Sequence, residues 1–286
     1  MDKPFVVIVT YNSAETIKQL LADLGSLLDR VVVIDNGSKD KTLSILKRTP
    51  KIKVIVPGRN TGCDEGTNIG ITYALSKGAD YVLVLSPDVH VYNGFLQKLL
   101  DTFSKDKKIG IVASKIITED KRIWSLGGVL DKKRFSGGLI GYKDKDDLRK
   151  KDIYDVDFVA GCVMLIKKKV FDKIGYFHEE YFIYYEDVDI CTRAKRAGFR
   201  VVINPDIKAL HYASTSVGVN SPMMQYYLAR NHLLFVEKFA PRYFLFREFI
   251  RLPKTLWEHY KRKEKFAILG IKDYFLRRVG KSDYWR

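Results

Sequence analysis

The carboxylates Glu186, Asp187 and Asp189 are the residues of this chain with the clearest potential for catalysis. An aromatic run, YFIYY at 181–185, precedes them, and apolar residues at helical spacing follow. Capping is the simplest explanation, because acidic residues in a first helical turn complement the helix dipole. Partial burial beside aromatic rings, however, raises a carboxylate pKa toward the range useful for a general base. We therefore expect Asp187, with Glu186 beside it, to take a proton from a substrate.

The first third of the chain predicts a scaffold for this chemistry. Apolar β-branched runs at 5–10, 31–34, 53–56 and 81–85 alternate with helical patterns. That order is typical of parallel strands joined by helices in an open α/β sheet. Such sheets bind ligands beyond the carboxyl ends of their strands. The polar residues predicted at those ends are Thr10, Tyr11, Asn12, Asp35 and Asp88.

Asp88 is the candidate metal ligand among these residues. It closes the sequence Ser86-Pro87-Asp88 after the fourth predicted strand, where turn formation is the simpler alternative. A single carboxylate combined with substrate phosphates is nevertheless a common way to hold Mg²⁺ or Mn²⁺. We therefore expect Asp88 to serve a metal or a ligand at the sheet edge.

A glycine-rich stretch at 58–70, GRNTGCDEGTNIG, leads into another predicted helix. Glycines allow the backbone to approach a ligand closely, and a helix N-terminus suits a phosphate group. The spacing matches neither GxGxxG nor a Walker A loop, which disfavours a dinucleotide cofactor and a P-loop NTPase. A capping loop without a ligand is the alternative.

Three further apolar runs complete the predicted sheet. Residues 157–166, DFVAGCVMLI, predict a core strand beneath the site, and 201–204 and 207–211 predict two closing strands. His211 lies at the end of the last run. On this pattern alone, a structural role is the simpler explanation for His211.

The net charge of +16 is concentrated near the C-terminus, where residues 240–286 contain 13 Lys or Arg against 5 Asp or Glu. An excess of this kind favours anionic partners. From residue 222 onward, basic and aromatic residues alternate in a way typical of amphipathic helices on an anionic bilayer. A solvated helical hairpin packed on the main domain is the alternative. We expect a catalytic domain at 1–220 and a basic helical segment at 221–286.

The compartment is predicted from what the sequence lacks. Cys63, Cys162 and Cys191 are odd in number and form no CxxC or Cys/His cluster, which suits a reducing cytoplasm. The N-terminal apolar stretch is too short for a signal peptide, and no window approaches the roughly 18 apolar residues of a membrane span. We expect a cytoplasmic protein, peripheral on the inner face of the membrane.

Several stretches in this order together resemble the GT-A-fold glycosyltransferases of family 2, particularly the rhamnosyltransferase-like branch. They cover residues 4–235. The stretches are Val9-Thr10-Tyr11-Asn12, Asp35-Asn36-Gly37-Ser38, the loop with Asn60, Gly62, Gly66, Asn68 and Gly70, Ser86-Pro87-Asp88, Gly161-Cys162, Tyr185-Glu186-Asp187-Val188-Asp189, His211, and Tyr227-Leu228-Ala229-Arg230-Asn231.

The resemblance implies a UDP-, dTDP- or GDP-linked sugar donor and a GT-A fold, a Rossmann-like open mixed sheet flanked by helices, with a C-terminal helical extension. It implies that Thr10, Tyr11 and Asn12 line the nucleoside pocket, that Asp35 hydrogen-bonds the base, and that Asn68 belongs to the donor site. Asp88 takes the place of the metal-binding carboxylate, and His211 matches a histidine that completes the Mn²⁺ or Mg²⁺ site in some members. Asp187 falls at the position of the general base, with Glu186 beside it.

The expected reaction is inverting transfer of a sugar to a hydroxyl of a glycan or lipid-linked acceptor, in cell-surface polysaccharide or lipid-linked glycan synthesis. A carboxylate base assists the weak hydroxyl nucleophile, and a divalent cation neutralises the departing diphosphate. Three alternatives remain from the sequence. They are an inactive GT-A domain that binds a glycan or nucleotide, a nucleotidyltransferase, and a nucleic-acid-binding protein suggested by the basic aromatic segment. Acidic residues at the binding edge argue against nucleic acid as a partner.

Overall fold

A computed structural model describes residues 3–131, 133–146, 152–212 and 220–285. The strands are β1 (Pro4–Thr10), β2 (Val31–Asp35), β3 (Lys53–Ile55), β4 (Tyr81–Leu85), β5 (Val89–Val91), β6 (Ile109–Ile117), β7 (Ile123–Ser125), β8 (Gly128–Leu130), β9 (Gly137–Leu139), β10 (Tyr154–Asp155), β11 (Val163–Lys167) and β12 (Arg200–His211). The α-helices are α1 (Ile17–Leu24), α2 (Thr42–Arg48), α3 (Gly62–Ser76), α4 (Phe95–Thr102), α5 (Lys168–Ile174), α6 (Glu186–Arg196), α7 (Pro222–Phe239), α8 (Arg242–Lys261) and α9 (Lys265–Phe275).

The main sheet is open and mixed, with the strand order β10-β12-β6-β11-β4-β1-β2-β3. Strands β1 to β4 are parallel where they pair, and β11 runs antiparallel between β4 and β6. Strand β5 adds to β12, and β7 adds to β6. Because Thr10 of β1 lies opposite Asp35 of β2, the ends of these strands meet at one sheet edge, as predicted.

Helices cover both faces of the sheet, which explains the continuous apolar runs of its parallel strands. Along β1, Phe5 and Val7 pack into one hydrophobic core, whereas Val6 and Ile8 pack into the other. The predicted α/β architecture is therefore correct, with a core on each side of the strands that carry the site.

Two predicted strands differ from the structure. The run 157–166 is a strand only from Val163, because residues before it pair with the β8 hairpin instead: the Gly128 amide donates to the Phe158 carbonyl at 2.8 Å. The two closing strands are one strand, β12, with a register irregularity between Asn204 and Lys208.

The C-terminal helices α7 and α9 pack against the sheet domain. Leu233 and Phe235 of α7 and Ile271 of α9 pack into the core beside the sheet. Residue 220, where we divide the chain, adjoins 213–219, which lie outside the described residues. The division of the chain at residue 220 therefore stays a prediction. Within the segment 221–286, α7 and α9 contribute side chains to the core beside the sheet.

Candidate active site

Strand pairing brings Asp88 and His211 together. Asp88 directly precedes β5, and the antiparallel pairing of β5 with β12 sets His211 opposite Val89. The Tyr212 amide also donates to the Asp88 carbonyl at 2.9 Å. As a result, His211 Nε2 lies 3.3 Å from Asp88 Oδ1, although the two residues are far apart in sequence.

This pair fits a divalent cation that is completed by substrate. A carboxylate oxygen suits Mg²⁺ or Mn²⁺, and phosphate oxygens commonly fill several positions around these ions. His211 Nδ1 is buried with no hydrogen-bond partner among the residues that the structure describes. Among all residues that the structure describes, no group of three or more His, Cys, Asp or Glu side chains is arranged to hold a metal ion. Asp88 and His211 are therefore the two candidate protein ligands, and their contact with a metal ion stays a prediction.

Asp35 presents one engaged and one available oxygen at the sheet edge. Its side chain is fully buried, and Oδ1 accepts hydrogen bonds from the amides of Gly37 and Ser38 at 2.9 and 2.8 Å. Its Oδ2 is buried and has no hydrogen-bond partner within the described residues. Such an atom is costly unless a ligand donates to it, which agrees with the predicted contact to a nucleobase.

Asn12 and Thr10 shape the loop beside Asp35. Asn12 adopts a left-handed backbone (φ 52°), and its Oδ1 accepts from the Lys39 amide at 2.8 Å, which joins the loops after β1 and β2. Thr10 is buried and donates through Oγ1 to the Ile34 carbonyl at 3.3 Å. Tyr11 is 44 % exposed and available to a ligand. Direct contacts of these three residues with a donor stay predictions.

Asn68 is held by hydrogen bonds within the protein. It is buried in α3, where Nδ2 donates to the Phe177 carbonyl (2.9 Å) and to Glu179 Oε1 (3.0 Å). Its Oδ1 accepts from the Phe177 amide at 3.0 Å. The side chain therefore ties α3 to the segment that leads into α6, and its contact with a donor stays a prediction.

Asp187 lies at the first turn of α6 with both carboxylate oxygens held by backbone amides. Oδ2 accepts from Gly161 at 3.1 Å and Oδ1 from Val188 at 2.8 Å. Burial raises the pKa of Asp187 above its ordinary value, although these amides oppose the shift. Burial, and then the charges of Asp187 and Asp64, raise the pKa of Glu186 well above its ordinary value. The direction agrees with the predicted base.

Asp189 is structural rather than catalytic. It is fully buried and accepts from Arg193 Nε at 2.5 Å and from the Tyr181 hydroxyl at 3.0 Å. Burial by itself would raise its pKa, but His178 and Arg193 outweigh burial and hold the pKa below its ordinary value. This carboxylate anchors the aromatic run beneath α6.

The Gly161-Cys162 step connects the two halves of the site. The Gly161 amide donates to Asp187, and the Cys162 carbonyl accepts from the Ser86 amide at 3.0 Å, two residues before Asp88. A Cβ on Gly161 would lie 3.5 Å from Asp187 Cβ and 3.6 Å from Glu186 Oε1. The candidate base and the candidate metal ligand therefore flank one short backbone segment.

Arg230 and Asn231 of α7 hold the strained approach to α6. Phe182, Tyr184 and Tyr185 all adopt left-handed backbone conformations, which cost about 1–3 kcal/mol each for non-glycine residues. Asn231 Nδ2 donates to the carbonyls of residues 181, 183 and 184 at 2.8–3.0 Å. Arg230, 1 % exposed, donates to the carbonyls of 180, 181 and 280 at 2.7–3.1 Å.

Sequence reasoning missed two groups near the base. Asp64, in the glycine-rich stretch, is buried, and burial raises its pKa well above the ordinary value. The second group joins distant elements: the Tyr185 hydroxyl lies 3.1 Å from His232 Nδ1, and Glu248 pairs with Arg134 at 3.2 Å. For Asp64, the only indication in the sequence was an acidic residue at a predicted helix start. No local pattern indicated the contacts of Tyr185 with His232 or of Arg134 with Glu248.

The fold and site define a glycosyltransferase of the GT-A class. The structure of GalNAc-T7 with UDP, GalNAc and Mn²⁺ superposes with a TM-score of 0.68 at 18 % identity, and the match covers 96 % of this chain and 56 % of that one. Residues 5–175 match the family model for Glycosyl transferase family 2. The chain belongs to this family, and it is a rhamnosyltransferase-like enzyme of the class that acts on nucleotide sugars.

Two curated relatives confirm the predicted branch. The dTDP-rhamnosyl transferase RfbF of Shigella flexneri is 29 % identical over 249 residues, which are 82 % of this chain and 80 % of that protein. The N-acetylglucosaminyl-diphospho-decaprenol L-rhamnosyltransferase of Mycobacterium tuberculosis is 28 % identical over 239 residues, which are 74 % of this chain and 77 % of that protein.

Proposed function

We propose that this enzyme transfers a sugar, with rhamnose the first candidate, from a nucleotide-diphospho-sugar to a hydroxyl of a lipid-linked glycan, with inversion at the anomeric carbon. The observation that carries the proposal is the Gly161-Cys162 step, which sets Asp187 on one side and Asp88 with His211 on the other. A base and a diphosphate site in such proximity suit a single displacement. The names of the two rhamnosyltransferase relatives support dTDP-rhamnose as donor and a diphospho-lipid acceptor.

In this mechanism, one residue binds the donor, one takes the acceptor's proton, and two would hold a metal ion. Asp35 Oδ2 accepts a hydrogen bond from the base of the donor. Asp187 takes the proton of the acceptor hydroxyl as its oxygen bonds to the anomeric carbon, while the bond from that carbon to the diphosphate breaks on the opposite face. A divalent cation held by Asp88 and His211 would neutralise charge on the departing diphosphate.

The Asp88→Ala variant is expected to weaken metal-dependent donor binding at least tenfold, because it removes the carboxylate of the Asp88–His211 pair. The measurement is the shift in melting temperature caused by dTDP-rhamnose with Mn²⁺ and with EDTA. Glu264→Ala is a matched control, since Glu264 Oε2 lies 2.7 Å from His259 Nδ1 in a comparable carboxylate–histidine pair at the junction of α8 and α9. An Asp88→Ala variant with an unchanged Mn²⁺-dependent shift would point to a metal-free mechanism.

The pH dependence of turnover is expected to follow the raised pKa of Asp187. A general base works only when deprotonated, so activity should fall as pH decreases through that pKa. Because burial raises the value, the fall should begin at a higher pH than the ordinary aspartate pKa of about 3.9 allows. Initial rates across pH, with circular dichroism as a folding control, provide the check. Full activity down to about pH 4 would contradict a buried base.

We also propose that α8 places the enzyme on an anionic membrane surface in the cytoplasm. Among the described residues, no helix is both long and apolar enough to cross a bilayer. Helix α8 instead exposes apolar side chains at helical spacing, each more than half accessible. They are Tyr243, Phe246, Ile250, Trp257 and Tyr260. Basic residues border this face, an arrangement typical of interfacial helices and one that a nucleic-acid surface would not require.

Loss of two of these aromatic anchors is expected to reduce vesicle binding. Phe246→Ser with Trp257→Ser removes side chains whose burial is worth about 1.5–3 kcal/mol each, so the partition coefficient should fall more than tenfold. Co-sedimentation with phosphatidylglycerol-containing vesicles measures this. The control is Tyr92→Ser with Tyr142→Ser, two exposed aromatics on other elements. Equal losses in both double variants would argue against α8 as the membrane face.

A further inference from the structure

A basic cavity of about 590 Å³ lies between the loop that joins β8 to β9 and helix α8. The hairpin contributes Lys133 and Arg134, and α8 contributes Arg247 and Arg251. Guanidinium groups form paired hydrogen bonds with phosphate oxygens, and an ammonium group adds a point charge. None of these four side chains has a part in the donor end of the site, which lies at the carboxyl ends of the parallel strands.

The two carboxylates that line this cavity, Asp131 and Glu248, offset half of the charge of its four cations. Asp131 Oδ1 caps the hairpin by accepting from the amides of Lys133 and Arg134 at 2.8 and 2.6 Å. Glu248 forms an ion pair with Arg134. Burial alone would raise the pKa of Glu248, but hydrogen bonds from His232 and Arg134 outweigh burial and lower this pKa to about 2. Asp131 and Glu248 therefore offset two of the four positive charges, and the cavity keeps a net excess of two.

The remaining cations lack close ion pairs. Within the described chain, Lys133 and Arg247 form no salt bridge, and Arg251 Nη2 approaches Glu258 Oε2 only to 3.8 Å. Arg251 Nε is buried and has no hydrogen-bond partner among those residues. A buried donor without a partner is costly, so this geometry favours an anionic ligand in the cavity.

The basic cavity shares lining residues with a neighbouring cavity and with the exposed face of α8. Arg134 and Glu248 also line a second cavity of about 300 Å³, which extends to Tyr185, the residue before Glu186. On the other side, Ile250 lines the basic cavity and belongs to the apolar face that we assign to the membrane. Shared lining residues therefore link Tyr185, which precedes Glu186 in the chain, through the second cavity to the basic cavity and then to the apolar face of α8.

We propose that the basic cavity binds the diphosphate of a lipid-linked acceptor. The acceptor's sugar extends toward Tyr185 and Asp187, and its hydrocarbon chain leaves across the apolar face of α8. This order of sugar, doubly charged diphosphate and apolar chain matches the order of surfaces in the protein. The inference rests on the proposed function, whose acceptor it specifies.

The test uses farnesyl diphosphate, inorganic pyrophosphate and farnesol as probes of the full-length protein, with binding measured by titration calorimetry. We expect farnesyl diphosphate to bind the native protein at least tenfold more tightly than either pyrophosphate or farnesol. The double variant Arg247→Gln/Arg251→Gln should weaken that binding at least tenfold. The single variant Arg247→Gln, at an exposed position, should weaken it in the same direction and guards against a folding defect in the double variant.

A matched control removes the same charge from the same helix outside the cavity. Arg242→Gln/Lys254→Gln should bind farnesyl diphosphate like the native protein, and an equal loss in both double variants would overturn the inference in favour of general charge attraction. Farnesol binding as tight as farnesyl diphosphate would also overturn it. The shift in melting temperature with dTDP-rhamnose separates the two proposals. Suppose that the native protein responds to this donor but binds farnesyl diphosphate no more tightly than the Arg247→Gln variant does. That result would support the proposed function and overturn the proposed acceptor site.

Discussion

The Asp187→Asn variant is expected to turn over roughly 10²–10⁴-fold more slowly than the native enzyme, the usual contribution of a general base. Asparagine keeps the size of the side chain and can accept from one of the two amides that hold Asp187, but it cannot take a proton. Donor binding should persist, because the proposed donor contacts lie at Asp35 and at the Asp88–His211 pair. Release of nucleoside diphosphate under initial-rate conditions measures turnover, and the donor-induced melting shift measures binding.

Glu186→Gln separates the two adjacent carboxylates. Glu186 lies beside Asp187, and its Oε2 is buried without a hydrogen-bond partner within the described chain. If Asp187 is the base, Glu186→Gln should lose less turnover than Asp187→Asn, because Glu186 takes no proton from the acceptor in this mechanism. Native turnover in Asp187→Asn would end the assignment of the base.

The Arg230→Met variant is expected to lose about 3–5 kcal/mol of unfolding free energy, the range found when a buried charged group that is fully hydrogen-bonded is removed. Methionine fills much of the volume but removes the guanidinium hydrogen bonds to the carbonyls of residues 180, 181 and 280. For a chain of this size, the melting temperature should fall by roughly 10 °C. Turnover should fall too, since the carbonyls of residues 180 and 181 lie at the start of the segment that leads to Asp187.

Arg277→Met is the matched control for this substitution. Arg277 pairs with Glu237 at 2.7 Å, but its side chain is largely exposed, and exposed ion pairs contribute about 0–1 kcal/mol. Thermal unfolding monitored by circular dichroism compares the two variants. Equal melting temperatures for Arg230→Met and Arg277→Met would show that the buried network does not hold the aromatic segment.

The positions of candidate site residues that the sequence predicts at the sheet edge depend on local rules. Buried β-branched runs identify parallel strands, and the polar residue after each run falls at a known edge, so Thr10, Asp35 and Asp88 could be placed together. The helix start at Glu186 follows from acidic residues ahead of apolar residues at helical spacing. These inferences need only the period of the pattern and the direction of the strands.

The parts that could not be predicted depend on contacts between distant segments. Arg134 and Glu248 are 114 residues apart, and nothing near either residue indicates the other. Asn68 was expected at the donor, but its hydrogen bonds to Phe177 and Glu179 form only once α3 packs against the segment before α6. The basic C-terminal composition indicated a surface segment, whereas α7 supplies the buried Arg230 and Asn231 through spacing that composition cannot reveal.

The central claim is that this enzyme binds a nucleotide-diphospho-sugar at the edge formed by Asp35, Asp88 and His211. The most direct measurement is a thermal-shift panel of UDP-, GDP- and dTDP-sugars, each with Mn²⁺, Mg²⁺ or EDTA, because a ligand specific for the native state raises the melting temperature with its occupancy. We predict a shift confined to one nucleotide, with dTDP-rhamnose expected, that increases with metal. No shift with any donor would contradict the claim and favour a domain that no longer catalyses transfer.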